Sequence, residues 1–171
     1  MSETKPVVLG IDPSLTACGV ALLQDGRIYP MHPPSIIRTK PSDGSDARRI
    51  GMILDALPGP EIPVAVVAIE TQHGAWGSTE GEIRAKAAAG QRVAAVRGAV
   101  TGWAAQRGAE VVEVSPQEAK RRLTGNGKAT KRQMVAAVRA RFGVLVGQDA
   151  ADAVGMALVA EGQAVMAALR G

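Results

Sequence analysis

Val7-Val8-Leu9-Gly10-Ile11-Asp12 is a run of apolar and small residues closed by a carboxylate. A continuous apolar run this short reads as a strand buried on both faces, and such strands belong to sheets covered by helices on both sides. An acid at the end of a buried strand gives up hydration, and nothing in folding rewards that. In open α/β sheets, functional groups collect at strand ends. The alternative for Asp12 is a cap on the turn that Pro13 begins.

A second run of the same kind, Val-Ala-Val-Val-Ala-Ile-Glu at 64–70, closes on Glu70. Asp149 and Asp152 open a third apolar stretch, Asp-Ala-Ala-Asp-Ala-Val-Gly-Met-Ala-Leu at 149–158. Their i, i+3 spacing puts both on one helix face. Their place in a first turn also suits the helix dipole, which is their ordinary explanation. That explanation does not reach the two strand-end acids. At ~4 Å, two like charges repel by roughly 4 kcal/mol in a partly protein-like medium. If the four acids converge, a divalent cation with a taste for oxygen ligands is the natural neutraliser, Mg2+ first, with Mn2+ as a substitute. Two such ions ~3.5–4 Å apart are the apparatus of phosphodiester hydrolysis, which needs no activated Ser or Cys.

The 171 residues predict a single domain, 1–171, and 46% hydrophobic content is enough for a real core. Aromatics are limited to Tyr29, Trp76, Trp103 and Phe142, so the core is built from Ala, Val, Ile, Leu and Met. Lys and Arg exceed Asp and Glu by 20 to 16. If four acids face metal, the remaining surface is more basic than the net +4 suggests, which favours a polyanionic partner. Cys18 is the single cysteine, which excludes a disulfide framework and a Cys-based zinc site. The polar start, without a signal-peptide core, and the lack of a membrane-length apolar run predict a soluble protein of a reducing, cytoplasmic compartment.

Outward from 7–12, a second strand is predicted from 20–23, with a hairpin signal at Asp25-Gly26. A third strand falls within 27–38, interrupted by Pro30, Pro33 and Pro34. Ser-Asp-Gly-Ser-Asp at 42–46 caps a helix to about Leu57. After the strand 64–70 comes a glycine-rich loop at 74–81, then a long Ala-rich helix over 79–107, ended by Gly108. A fifth strand covers 111–114. Ser115, Pro116 and Glu118 form a capping box for a short helix. Helices over 129–141 and 148–169 complete the chain. This order predicts an α/β layered fold: a mixed sheet of five strands, three in an antiparallel meander and two parallel, flanked by helices.

The segment 119–131, Ala-Lys-Arg-Arg-Leu-Thr-Gly-Asn-Gly-Lys-Ala-Thr-Lys, is basic; Lys120, Arg121, Lys128 and Lys131 are candidate DNA contacts, with Gly125 and Gly127 letting backbone approach a phosphate. A solvated face explains the same composition. Arg84, Lys86 and Arg92 extend the patch along the long helix, where a solvated face is again the alternative; Arg97 reads as such a face. His73 is a candidate proton carrier or water-orienting group, against an ordinary loop histidine.

Taken in order, Gly-Ile-Asp-Pro at 10–13, Val-Ala-Ile-Glu at 67–70, Ala-Gly-Gln-Arg at 89–92, Val-Ser-Pro-Gln-Glu-Ala-Lys at 114–120, Thr-Gly-Asn-Gly-Lys-Ala-Thr-Lys at 124–131 and Asp-Ala-Ala-Asp-Ala at 149–153 resemble the RuvC-type Holliday-junction resolvases of the ribonuclease H-like superfamily. The resemblance spans nearly the whole chain and implies a ribonuclease H-like fold. It also implies a homodimer that cuts four-way DNA junctions with Mg2+, leaving a 5′-phosphate and a 3′-hydroxyl. Asp12, Glu70, Asp149 and Asp152 match the family's metal-binding catalytic acids, and Lys120 and Lys131 its basic positions near the scissile phosphate. A branch-migration motor is a candidate partner. Two departures bear on how strictly four-way junctions are selected, and the first looks like phage-encoded or otherwise divergent members. Pro-Ser-Leu-Thr-Ala-Cys-Gly follows Asp12 where the family usually has Pro-Gly-x-x-x-Thr-Gly. His73 stands where many members carry an aromatic that wedges into the junction, a role Trp76 is a candidate to take.

Three other functions stay open: a broader branched-DNA or flap nuclease on the same fold, a non-catalytic junction-binding protein, and an actin-like ATP-binding protein. The last usually needs two such domains and far more chain.

Overall fold

The computed structural model describes residues 5–71 and 79–168. Strand β1 (Val7–Asp12) lies at the centre of the sheet, antiparallel to β2 (Ala17–Gln24) and parallel to β5 (Val64–Glu70), which is parallel in turn to β6 (Glu110–Val114). β3 (Arg27–Ile28) follows β2 through Asp25 and Gly26, at φ 54° and 68°, the left-handed pair that a two-residue hairpin demands. β4 (Ser35–Arg38) pairs with the other end of β2, opposite Ala17–Val20.

The expected third strand is therefore two strands, and among the described residues the sheet has six rather than five, ordered β3-β2-β1-β5-β6 with β4 attached to β2. The prolines at 30, 33 and 34 explain the split. Each lacks a donor and fixes φ, so no ladder runs through them. Met31, at φ 64°, turns the chain between the two pieces.

The helices start where side chains can cap them. α1 (Asp46–Asp55) opens on Ser45, which accepts from the Arg48 N–H. α2 (Glu80–Gln106) opens on Thr79, and the chain leaves it through Gly108 at φ 68°. α3 (Pro116–Thr124) carries the Ser115–Glu118 capping box. α4 (Lys131–Phe142) has its own box, Thr130–Gln133, and so begins two residues later than the expected start at 129. α5 (Gln148–Ala168) is last. Among the described residues no helix is long and apolar enough to cross a membrane.

Strand alternation divides the core into two layers. Val8, Ala21, Leu23, Val66, Ala68 and Val114 pack under α3, α4 and α5. Val7, Leu9, Ile11, Leu22, Val67 and Ile69 pack on the opposite face with Ile53 of α1 and Val96, Val100 and Trp103 of α2. Among the described side chains of α2, Val96 is the first buried one, and most of those before it are exposed. Arg97 corrects the expectation of a solvated face. Its side chain is only 15% exposed and its Nη2 pairs with Glu113 Oε1 at 2.7 Å, because α2 lies against β6 there.

α5 sits directly on the backbone of β1 and β2. A Cβ at Gly10 would lie 2.0 Å from the Ala153 carbonyl oxygen, and one at Gly19 would lie 2.1 Å from that of Asp149. On its other side, a Cβ at Gly155 would come 2.9 Å from the Ala119 carbonyl oxygen, so α3 is held close as well. Three glycines thus set the height of α5 above the sheet.

Candidate metal centre

Register brings the two strand-end acids together. Ile11 pairs with Ile69 across the parallel β1–β5 ladder, so Asp12 and Glu70 leave the sheet side by side. Parity puts both on the α5 face, in line with Val8 and Gly10 on one strand and Val66 and Ala68 on the other. On the antiparallel side, Asp12 is opposite Gly19, whose missing Cβ leaves room for the first turn of α5. That turn delivers Asp149 and Asp152.

One carboxylate oxygen from each of Asp12, Asp149 and Asp152 lies within 4.8 Å of the others. Glu70 is the largest charged influence on Asp12 and flanks this trio. Burial first, then Glu70, Asp152 and Asp149, push the Asp12 carboxyl up to about 7, against the pull of Lys131. Asp152 is also raised, by burial and by Asp149, while Lys131 and Lys120 oppose the rise. Lys131 Nζ is 3.5 Å from Asp149 Oδ1. A cluster that resists full ionisation at neutral pH gains most from a cation. With oxygen donors alone, and no His or Cys joining them among the described residues, it fits a hard divalent ion.

The basic residues divide. Lys131, the first residue of α4, and Lys120, on α3 beside the Ala119–Gly155 contact, both act on the acids. Arg121 instead lines a cavity of about 1010 Å3 near the far end of α5, with Lys5, Arg122, Glu161 and Met166. Lys128 is exposed in the α3–α4 turn, where its N–H donates to Asn126 Oδ1 at 2.9 Å. Arg84 is exposed in the first turns of α2 and pairs with Glu80. Lys86 is exposed further along the same helix, and Arg92 pairs with Asp46 at 3.1 Å. His73 and Trp76 lie outside the described residues. The two glycines of the basic turn have conformational and packing reasons to be there: Gly125, at φ 79°, ends α3, and a Cβ at Gly127 would press Gln117 Cγ at 2.8 Å. Sequence reasoning misses Gly10 and Gly19, although a glycine inside a strand is a known sign of close backbone approach.

A mixed sheet whose central parallel pair ends in carboxylates, with a terminal helix adding two more, defines a ribonuclease H-like metal-binding fold. The family described as "Crossover junction endodeoxyribonuclease RuvC" matches residues 8–160, and the chain belongs to it. It is 33% identical over 158 residues to the crossover junction endodeoxyribonuclease RuvC of Corynebacterium efficiens, covering 88% of this chain and 66% of that protein. It is 35% identical over 162 residues to that of Mycobacterium tuberculosis, covering 88% of this chain and 79% of the other. The chain thus spans just under two thirds of the Corynebacterium protein. Among solved structures, Thermus thermophilus RuvC in complex with Holliday junction substrate superposes with a TM-score of 0.73 at 26% identity, over 95% of this chain and 96% of that one.

Proposed function

We propose that this chain, as one domain over 1–171, is a metal-dependent endonuclease that resolves four-way DNA junctions by paired symmetric nicks. The observation that carries this reading is the convergence of Asp12, Asp149 and Asp152, flanked by Glu70, at the mouth of a sheet built like that of the junction-bound Thermus relative. Asp12, Glu70, Asp149 and Asp152 would hold Mg2+, or Mn2+ in its place, two ions per site. Bound there, the ions supply activation of a water and stabilisation of the leaving oxygen. Lys120 and Lys131 oppose the rise of the Asp152 carboxyl and draw the scissile phosphate toward the site. Arg121, Lys128 and Arg84 are outlying phosphate contacts, which makes binding fall steeply with salt. His73 and Trp76 act at the junction's branch.

A two-fold dimer suits a junction, because symmetry presents two sites to two like strands. The exposed, Ala- and Gly-rich first half of α2 is the surface for that pairing. The protein works in the cytoplasm, with a branch-migration motor as a further partner.

The test is cleavage of a labelled immobile four-way junction, with Mg2+ and with EDTA, beside a linear duplex and a flap of matching sequence. Paired, metal-dependent nicks on the junction alone are expected. Equal cutting of the flap would make this a broader debranching nuclease. Tight binding with no cutting in Mg2+ or Mn2+ would overturn the catalytic role of the four acids.

A further inference from the structure

Among the described residues, Arg49 is buried, 4% exposed, and it is the buried cation on this side of the sheet. It lies on α1, on the sheet face opposite α5. A buried guanidinium has to be matched by acceptors, and this one is matched by Thr39 just after β4, by the segment that follows Asp12 and by the start of its own helix. Its Nε donates to Thr39 Oγ1 at 3.0 Å, its Nη1 to Asp46 Oδ1 at 3.2 Å, and its Nη2 lies 3.5 Å from the Leu15 carbonyl oxygen. Thr39, 6% exposed, donates its own hydroxyl to that same Leu15 oxygen, and its backbone N–H donates to the Thr16 carbonyl at 3.2 Å. Asp46 carries the network on to α2 through Arg92.

The turn from Asp12 into β2 is therefore gripped from behind the sheet. Pro13 and Leu15 are buried, Ser14 Oγ accepts from the Thr16 and Ala17 N–H groups, and the Leu15 carbonyl accepts from both Thr39 and Arg49. Arg49 is not among the charges that act on Asp12, which are Glu70, Asp152, Asp149 and Lys131. Its influence is one of geometry.

We propose that Arg49 is a positioning residue for the metal centre: through Leu15 and Thr39 it holds the 13–16 turn, and so fixes where the Asp12 carboxylate meets Asp149 and Asp152. A carboxylate site tolerates only about 0.5 Å of looseness before it stops working. Partners one step behind a metal ligand typically change affinity by roughly tenfold to a hundredfold when removed. Lys in place of Arg keeps the charge but loses the planar fork that serves three acceptors at once. Thr39→Val removes the bridging hydroxyl without leaving a buried cation uncompensated by charge.

This inference rests on the metal-nuclease reading above, and the test separates the two. Mn2+ binding to the wild type, Arg49→Lys and Thr39→Val is titrated by electron paramagnetic resonance, at a temperature where circular dichroism shows each protein folded. Junction binding in EDTA and cleavage against Mg2+ concentration are measured alongside. Expected is Mn2+ affinity weakened about tenfold or more in Arg49→Lys and less in Thr39→Val. The Mg2+ needed for half-maximal cleavage should rise in parallel, with junction binding in EDTA unchanged. Wild-type Mn2+ affinity in both folded variants would overturn the positioning role. A wild type that binds no Mn2+ would overturn the metal-nuclease reading itself.

Discussion

Helix α5 places carboxylates in two contrasting settings. In its first turn, Asp149 and Asp152 crowd Asp12 with too little positive charge to balance them, and both Asp12 and Asp152 resist ionisation. Three turns further on, roughly 18 Å along the axis, Glu161 is only 7% exposed, yet its Oε1 accepts the Gly26 N–H at 2.8 Å. Glu161 closes a hairpin and completes the fold. The acids of the first turn complete nothing in the protein alone, and they make sense as a site that something else must fill. Burial by itself does not mark a functional acid. What marks it is burial beside other acids with too few cations to balance them.

The sharpest way to break this contrast is to remove a charge from the crowded end. Asp12→Asn and Asp152→Asn should each slow junction cleavage by about a hundredfold or more, a loss comparable to that of a single main electrostatic group in an active site. The metal-free protein should respond in the opposite direction. The folded-state value of Asp12, about 7, lies above its ordinary 3.8, so between these the native state holds a proton that the unfolded chain has released. The stability linked to this group is greatest below about pH 4 and falls as pH rises to 7. In EDTA at pH 8, Asp12→Asn should raise the unfolding free energy by up to roughly 4 kcal/mol, and the gain should vanish near pH 4. Urea unfolding at the two pH values measures it. A variant that is less stable than wild type at pH 8 would mean that the acids are satisfied within the fold after all.

Geometry is the next lever. Gly19→Ala must push the first turn of α5 away from Asp12, since its Cβ would meet the Asp149 carbonyl at 2.1 Å. Overpacking of this kind costs about 1–3 kcal/mol, and cleavage should fall by more than stability alone predicts. Gly102→Ala on α2, with nothing within 4 Å of the new Cβ, is the control and should stabilise by up to about 1 kcal/mol. Thermal unfolding and single-turnover cleavage at a temperature where both are folded distinguish the two sites.

Lys131 tests the balance of charge. It lowers both Asp12 and Asp152, so Lys131→Gln should shift the acid limb of the cleavage–pH profile to higher pH as well as reduce the maximal rate. An unmoved limb would remove Lys131 from the electrostatics of the cluster. The smallest effect belongs to the other region. Glu161→Gln keeps an acceptor for Gly26 and should cost about 1 kcal/mol or less in urea unfolding, with the cleavage rate unchanged.

Much of the fold and of the site is legible in the sequence. The caps at Ser45, Thr79 and Ser115, the stop at Gly108 and the hairpin at Asp25-Gly26 all sit where local chemistry puts them, because each is decided within a few residues. The acids are legible for a different reason: Asp12 and Glu70 violate the apolar pattern that surrounds them, and such a violation is visible in one dimension. Where local signals conflict, the sequence misleads. Apolar residues from 27 to 38 suggest one strand, and three prolines make it two. A basic composition groups Arg121 with Lys120, although neighbouring helix residues point about 100° apart, and only Lys120 acts on the acids.

By itself, then, the sequence determined most of the secondary elements and the family resemblance, and it singled out four acids of which three converge in the fold with Glu70 acting on Asp12, since caps, periodicity and motif order are short-range or linear properties. Only the tertiary structure decided that Gly10 and Gly19 let α5 down onto the sheet, that Lys131 rather than Lys128 reaches the acids, that Arg97 is covered, and that Arg49 grips the turn after Asp12. Most of these depend on groups brought together across tens to more than a hundred residues. Such contacts follow from how two faces fit once the core has closed, and no local pattern carries that fit.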